Sequence, residues 1–313
     1  MKLPSVPSLL SLAALLAFPA LVPAPAYAAS ARDALLVSPA WLAQHLRDPD
    51  LVLLHVGDAD EYAAAHLPGA RLLKLGAISV SEPSGRGLML EMPAADKLRA
   101  ALEGLGISDR SRVIVYFAKD WVSAATRAVF TLDYAGLGAN VSLLDGGQSA
   151  WTRAGHAVTA EVPAAAAGKL SPLELRPEVV DAEFVRAHLG EKGFAVVDAR
   201  EAMFYDGVES GESHDGVERT GHVAGAGSFP VGEVVDADLK VKPAAELEAL
   251  FAKAGVAPGD TVIGYCHIGQ YATAMLFAAR SLGHPVLLYD GSFEDWSRRP
   301  ELPVDNPAAK AKS

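Results

Sequence analysis

The chain has 313 residues, of which 50% are hydrophobic and 21% charged, a length and composition that suit two globular domains better than one. The formal net charge is −11, and apart from Lys310 and Lys312 no basic run stands out, which argues against a nucleic-acid groove. A chain of this size buries a sizeable apolar core, so folding requires neither a disulfide nor a structural metal.

The N-terminus has the pattern of a secretory signal peptide. An apolar stretch from Leu9 to Val22 follows a basic residue and precedes the small-residue pattern Ala26-Tyr27-Ala28. We expect residues 1–28 to be a signal peptide cleaved near Ala28, so that the mature protein is periplasmic or secreted. An uncleaved membrane anchor is the alternative. Pro19 and the short apolar core disfavour it, and we expect no stable membrane insertion.

The rest of the chain consists of two similar halves. Short apolar runs bounded by Gly, Asp and Pro alternate in each half with segments of helical spacing, which predicts a parallel sheet covered by helices. We therefore predict an α/β fold with two tandem domains. The matching segments are Leu51–Val56 with Phe194–Arg200, Ala65–Ala70 with Gly221–Ala226, Arg112–Tyr116 with Thr261–Tyr265, Val141–Gly147 with Val286–Ser292, and the core anchors Trp151 with Trp296.

The domain boundaries follow from composition. Residues 32–158 form the first domain and residues 178–305 the second. The segment 159–177, which contains an alanine run and two prolines, is predicted to be the linker. Residues 306–313 are predicted to be a loose tail, preceded by a strap that starts at Pro303.

Cys266, the single cysteine of the chain, directly follows the β run Thr261–Tyr265 and precedes a helix that begins near Ala272. The carboxyl edge of a parallel sheet is where open α/β folds bind ligands. A helix N-terminus stabilises an anion through free N–H groups and its dipole. We therefore predict a reactive cysteine whose thiol pKa is lowered. An inert packed cysteine is the alternative.

The single cysteine excludes an internal disulfide and removes the resolving partner that a dithiol oxidoreductase requires. A metal site is not expected, because His267 beside Cys266 has no further Cys/His cluster at ligand spacing. A cysteine phosphatase with five intervening residues would need an arginine at position 272 to clamp phosphate, and the residue is Ala272.

These motifs together resemble tandem-domain rhodaneses, and the resemblance covers nearly the whole chain after the signal peptide. The motifs that carry it are the repeat, the Asp-x-Arg strand end at Asp198 and Arg200, Gly221-His222-x-x-Gly225-Ala226, the Cys-x-x-Gly loop at Cys266 and the final Asp-Gly turn. The resemblance implies two rhodanese-like domains, each with a central parallel sheet flanked by helices. It also implies an inactive first domain, where Phe117 replaces the cysteine and the loop Ala118 to Ala125 is longer.

The same resemblance implies a sulfurtransferase without a cofactor, in which Cys266 takes sulfur from a donor such as thiosulfate as a persulfide. A thiophilic acceptor, such as cyanide or a thiol, then removes the sulfur. The partners expected are thus a small sulfur-donor anion, the acceptor and possibly an acceptor protein. Alternatives are a 3-mercaptopyruvate sulfurtransferase and a non-enzymatic sulfur relay. The predicted substrate-binding residues are His267, Ile268, Gly269, Gln270, Tyr271 and Arg200.

The loop departs from both donor classes of the family. Mercaptopyruvate-type members usually have small residues after the cysteine and a serine or threonine further along the loop, which Gln270 and Tyr271 do not reproduce. Thiosulfate-type members usually have basic residues at the positions of His267 and Ile268, and the arginine that often binds the donor is replaced by Phe204. Arg200 has two interpretations of equal weight, a substrate contact or a structural pair with Asp198. Arg200 or Arg219 could supply the positive charge that binds the donor anion. His222 is interpreted as a structural histidine in a turn.

Overall fold

The structure, a computed structural model, describes Met1 and residues 31–82, 84, 87–120, 122–164, 166–213, 216–217 and 219–311. The predicted signal peptide therefore lies outside the described residues, apart from Met1. In the described ranges, no helix combines the length and the apolar character needed to span a membrane.

The first domain is built on one parallel sheet with helices on both faces. Its strands are β1 Leu36–Val37, β2 Leu51–Val56, β3 Arg71–Leu73, β4 Arg112–Phe117 and β5 Val141–Leu144, in the order β1-β5-β4-β2-β3. Its helices are α1 Ala31–Leu35, α2 Pro39–His45, α3 Ala59–Ala64, α4 Ala95–Gly104, α5 Val122–Tyr134 and α6 Gly147–Arg153. Every residue of β5 and all but the first of β2 and β4 are buried, as expected for strands covered on both sides.

The second domain repeats this plan. Its main sheet is parallel and has the order β11-β7-β12-β13-β6. The strands are β6 Val179–Val180, β7 Phe194–Asp198, β8 Glu212–Ser213, β9 Gly216–Val217, β10 His222–Val223, β11 Gly227–Ser228, β12 Thr261–Tyr265, β13 Val286–Tyr289 and β14 Val304–Asp305. The helices are α7 Ala182–Ala187, α8 Ala202–Tyr205, α9 Ala244–Lys253, α10 Gln270–Ser281, α11 Ser292–Ser297 and α12 Pro307–Lys310. The predicted α/β fold with two parallel sheets is confirmed.

The two domains pack through α5 and α10, and one apolar core runs from the first sheet through both helices to the second sheet. Cys266 and Phe117 belong to this shared core. The predicted anchors Trp151 and Trp296 are buried in the two smaller cores beneath the outer sheet faces, which confirms their structural interpretation.

The predicted linker is docked on the first domain. The amide of Gly168 donates to the Glu103 carbonyl oxygen at 2.7 Å, and the Leu170 side chain is buried. At the other end of the chain, β14 pairs antiparallel with β10 as a strap. The tail differs from the loose segment predicted, because Pro307–Lys310 forms α12, whose N-terminus is capped by the Asn306 side chain at 2.8 Å from the Ala309 amide.

Candidate active site

Cys266 lies between the end of β12 and the start of α10, as the sequence predicts. Its side chain is 1% exposed. The backbone amides of Ile268, Tyr271 and Ala272 hydrogen-bond its sulfur. Two of these amides belong to the first turn of α10, where N–H groups have no partner within the helix. The loop and the helix end together form a cradle for an anionic sulfur.

The expectation of a net lowered thiol pKa is wrong. Burial raises the pKa of Cys266, and the nearby Asp198 carboxylate also raises it, whereas the three amides lower it. The loss of water around the thiolate outweighs the amide hydrogen bonds. The amides therefore have their largest effect on the anion once it has formed, as an oxyanion hole does for oxygen.

Gly269 shapes the loop, because it is the N-cap of α10 and adopts a left-handed backbone conformation with φ of +80°. A Cβ at this position would lie 3.0 Å from Arg127 Nη1 and 3.0 Å from the Asp290 carbonyl oxygen. Glycine is required here both by the backbone conformation and by the lack of space.

The first turn of α11 supports the loop from behind. The Cys266 amide donates to Ser292 Oγ at 3.2 Å, and the Phe293 amide donates to the Cys266 carbonyl oxygen at 2.9 Å. The Ser292 hydroxyl in turn donates to the Tyr289 carbonyl oxygen at 2.9 Å. The sequence did not identify Ser292 as a residue of the site, although it directly follows the Asp-Gly turn near the end of the second repeat.

Arg200 lies in a buried ion pair rather than at an open surface. Its Nη2 is 2.6 Å from Asp198 Oδ2 and also donates to the Gly221 carbonyl oxygen at 2.7 Å. The guanidinium carbon lies 4.0 Å from the centre of the Phe293 ring, and the residue is 1% exposed. This geometry favours the structural interpretation of Arg200. A contact between Arg200 and the substrate stays a prediction.

Arg219 also has a structural environment, because it donates to the carbonyl oxygens of Trp296, Ser297, Arg299 and Leu302 at the end of α11. His222 is buried, stacks on Tyr205 and contacts the Tyr205 carbonyl oxygen through Nδ1 at 2.7 Å, which agrees with a structural role, although it lies in β10 rather than in a turn.

His267 is half-buried and packs edge-on against Phe204, with ring centroids 4.6 Å apart. Burial and the nearby Arg200 guanidinium lower the pKa of His267 to about 4. The imidazole is therefore neutral at neutral pH. Phe204, the residue that the family resemblance matches to the donor-binding arginine, thus lies against His267, and Ile268 is half-buried.

Gln270 and Tyr271 face the groove between the domains. Gln270 Nε2 donates to Ser123 Oγ of the first domain at 3.1 Å, and Tyr271 is 40% exposed. Both line a cavity of about 540 Å³, and Asp120 and Asp236 also line it. Gln270 additionally lines a cavity of about 750 Å³ on the first domain. The predicted loop residues are thus brought together around one sulfur and one groove.

The corresponding place in the first domain lacks this machinery. Phe117 lies at the end of β4 and is 1% exposed. Gly147 stands where the second domain has Ser292, and a Cβ there would come within 2.8 Å of the Phe117 ring. His55 and Gly57 stand where the second domain has Asp198 and Arg200. The prediction that this domain has no thiol chemistry agrees with these replacements.

Arg127 is the main residue that sequence reasoning missed. It projects from α5 of the first domain, is almost fully buried and pairs with Asp290 of the second domain, with Nη1 2.7 Å from Oδ1. A signal was present, because Arg127 and Asp133 are the charged residues of an otherwise uncharged helix. Charged residues in a buried helix indicate partners elsewhere in the fold.

Comparisons with known proteins agree with this geometry. The rhodanese-like domain model matches residues 38–154 and 181–299. The thiosulfate sulfurtransferase of Pseudomonas aeruginosa is 30% identical over 275 residues, covering 87% of this chain and 97% of that protein. The 3-mercaptopyruvate sulfurtransferase of Escherichia coli K12 is 30% identical over 276 residues, covering 85% and 95%.

The sulfur carrier protein TtuD of Thermus thermophilus is 30% identical over 286 residues, covering 88% of this chain and 97% of that protein. Among solved structures, the anaerobic ergothioneine biosynthesis enzyme from Chlorobium limicola is similar with a TM-score of 0.77 and 25% identity, covering 88% of this chain and 71% of that chain. The chain therefore belongs to the rhodanese-like family, as a tandem pair of domains of which the second carries the cysteine.

Proposed function

We propose that the protein is a sulfurtransferase that moves sulfane sulfur through a persulfide on Cys266. The observation that supports this most directly is the set of three amides, from Ile268, Tyr271 and Ala272, that hydrogen-bond one buried sulfur. A terminal persulfide sulfur is an anion at neutral pH and gains from such donors. The names of the relatives, thiosulfate and 3-mercaptopyruvate sulfurtransferase, support the same reaction class.

The reaction has two displacement steps. The Cys266 thiolate attacks the outer sulfur of thiosulfate, the S–S bond of the donor breaks, and sulfite leaves with the bonding electron pair. The acceptor nucleophile then attacks the outer sulfur of the persulfide, and the Cys266 thiolate leaves. Cyanide becomes thiocyanate in this step, whereas a thiolate becomes a persulfide. No net proton or electron is required from the protein.

The loop binds the donor through amides rather than side-chain cations. His267 is neutral at neutral pH because its pKa is about 4, and the Arg200 guanidinium is held by Asp198. Gln270 and Tyr271 add uncharged polar groups at the groove. Such a site places few demands on the charge of the donor, so thiosulfate and 3-mercaptopyruvate are both reasonable donors.

The test compares both donors in steady state with cyanide as acceptor, in the wild type and in Cys266→Ser. We expect turnover with at least one donor and none in the variant, whose fold should be unchanged. Intact-mass analysis after incubation with thiosulfate should show one added sulfur atom that cyanide removes. A C266S variant with wild-type turnover would contradict the proposal.

A sulfur relay is the second candidate, supported by the similarity to the sulfur carrier protein of Thermus thermophilus and by the exposed Tyr271 at the groove. A relay accepts sulfur on its cysteine and passes it to a partner protein, without rapid turnover of a small-molecule donor. Persulfide loading on Cys266 without steady-state turnover would support this alternative over the enzyme.

We also propose that the protein is exported. The support is the apolar stretch from Leu9 to Val22 followed by Ala26-Tyr27-Ala28. The mature protein from fractionated cells should then begin near Ala29 and be recovered outside the cytoplasm. A mature chain that starts at Met1 in the cytoplasmic fraction would contradict export.

A further inference from the structure

Arg127 crosses the domain interface immediately below the catalytic loop. It lies on α5, which packs against α10, and the neighbouring Thr126 Oγ1 is 3.2 Å from Thr273 Oγ1 across the interface. The Arg127 side chain is 2% exposed. A guanidinium buried to this degree needs hydrogen-bond partners, and Arg127 has them at its two terminal nitrogens.

Those partners belong to three separate segments. Arg127 Nη1 is 2.7 Å from Asp290 Oδ1, in the turn before α11, and also donates to the Gly269 carbonyl oxygen at 3.3 Å. Arg127 Nη2 donates to the carbonyl oxygen of Leu90. The guanidinium therefore links the N-cap of α10 to the Asp290 turn, both in the second domain, and to the Leu90 loop of the first domain.

The contact with Gly269 reaches the sulfur indirectly. Gly269 is the N-cap of α10, and its carbonyl belongs to the peptide group that immediately precedes those of the Tyr271 and Ala272 amides. The amides of Tyr271 and Ala272 are among those that hydrogen-bond Cys266. A guanidinium that fixes the Gly269 carbonyl thus fixes the peptide group from which the first turn of α10 starts.

The effect is geometric rather than electrostatic. The charge of Arg127 is neutralised by Asp290 at hydrogen-bond distance. The charged group that shifts the pKa of the Cys266 thiol is the Asp198 carboxylate, which raises it. Removal of Arg127 should therefore act through the loop conformation.

Among the described residues, the first-domain loop has no matching arginine from α10. Thr126 and Thr273 face each other across the interface, so the counterpart of Arg127 on α10 is the residue after Thr273, which is Ala274. Ala274 lines the 540 Å³ cavity together with Asp120 of the loop that follows Phe117. At this pair of matching positions, the arginine is therefore on α5, the side that contacts the cysteine loop, and α10 has an alanine.

We propose that Arg127 is a positioning residue for sulfur transfer: the domain without a cysteine supplies the guanidinium that holds the persulfide cradle in its working conformation. This inference rests on the proposed function, because it assigns Arg127 a part in the reaction of the same site. It also makes the first domain an obligatory part of the active site rather than only a wall of the groove.

The test uses the full chain with Arg127→Met combined with Asp290→Asn, so that no buried charge is left unpaired. The rate of Cys266 alkylation by iodoacetamide is measured as a function of pH, together with turnover of thiosulfate and cyanide. We expect an alkylation midpoint about one pH unit higher. Turnover should fall by at least about tenfold, because displacing an anion-stabilising donor costs less than removing it, which lowers kcat by roughly 10²-fold or more. Circular dichroism should show a folded protein.

The matched control is Arg280→Met combined with Asp133→Asn. That pair also joins α10 to α5, but Asp133 and Arg280 lie near the ends of the two helices remote from Cys266. The control should lose stability without a change in the alkylation midpoint or in turnover per folded molecule. Arg127→Lys is the second variant, used if the double variant does not fold. It keeps the pair with Asp290 but cannot reach Gly269 and Leu90 together, so it should show the same shift in the alkylation midpoint.

The proposal is overturned if the Arg127 variants are folded and retain the wild-type alkylation profile and turnover, or if the Arg280 control shows the same shift. Alkylation requires no sulfur donor. A shifted profile in the Arg127 variants together with absent wild-type turnover would therefore refute the proposed enzyme while supporting the positioning role.

Discussion

Gly269→Ala perturbs the catalytic loop at the position where the structure leaves no room. An L-residue in the left-handed region costs about 1–2 kcal/mol. The new Cβ would also lie 3.0 Å from Arg127 Nη1 and from the Asp290 carbonyl oxygen, neither of which is free to move, because both are buried. Overpacking of this kind adds about 1–3 kcal/mol. We expect a total loss of about 2–5 kcal/mol in the free energy of unfolding.

Gly283→Ala is the matched control on the same helix. Gly283 follows the C-terminus of α10 with φ of +88°, and a Cβ there would meet nothing within 4 Å. This variant should lose only the conformational cost of about 1–2 kcal/mol and keep its turnover.

Urea unfolding and thiosulfate turnover, measured on both variants, separate the two effects. Gly269→Ala should also lose turnover by roughly 10²-fold, because a shifted N-cap moves the amides that contact Cys266. A Gly269→Ala protein as stable and active as Gly283→Ala would refute the reasoning.

Three further predictions concern the surrounding groups. Arg200→Met should cost about 3–5 kcal/mol in urea unfolding, because it leaves the buried Asp198 carboxylate unpaired. Burial holds the pKa of His55 at about 4, below its ordinary 6.5, so the folded state binds a proton less readily than the unfolded state. The free energy of unfolding should therefore fall by up to about 1.4 kcal/mol per pH unit as the pH drops from 6.5 to 4. Thermal unfolding against pH measures this slope, which His55→Gln should reduce. Phe117→Cys in a Cys266→Ser background should show no thiosulfate turnover.

Different outcomes would contradict these predictions. An Arg200→Met protein of unchanged stability but with a raised KM for thiosulfate would identify Arg200 as a donor contact. An acid slope unchanged by His55→Gln would assign the titration to other groups. Turnover by the Phe117→Cys variant above the Cys266→Ser background would show that the first-domain loop is able to form a cradle despite Gly147 in place of Ser292.

Much of the active site was predictable because it is local in the chain. Cys266 through Tyr271 follow one another, and the β run before them and the helix after them are visible as apolar patterns. The strand–loop–helix order alone places the thiol at a sheet edge and against helix amides. The repeat made the comparison with Phe117 possible without any structure.

The groups that surround the cysteine loop were not predictable in this way. Arg127 is 142 positions from the Gly269 carbonyl that it contacts, and Ser292 is 26 positions from the Cys266 amide that it accepts from. Arg200 had two equal interpretations until its guanidinium was found between Asp198 and Phe293. Pairings over such distances depend on how sheets and helices pack, and the order of residues does not specify them.

By itself, the sequence determined the duplicated α/β architecture, the cysteine loop and the loss of the cysteine in the first copy, because strand and helix periodicity and turn residues are local properties. Only the tertiary structure decided the sign of the thiol pKa shift and the contact between the first domain and the cysteine loop. Burial of Cys266 removes water from the thiolate, and burial is a property of the whole packed interface. The contact of Arg127 with the loop likewise exists only once the two domains have packed together.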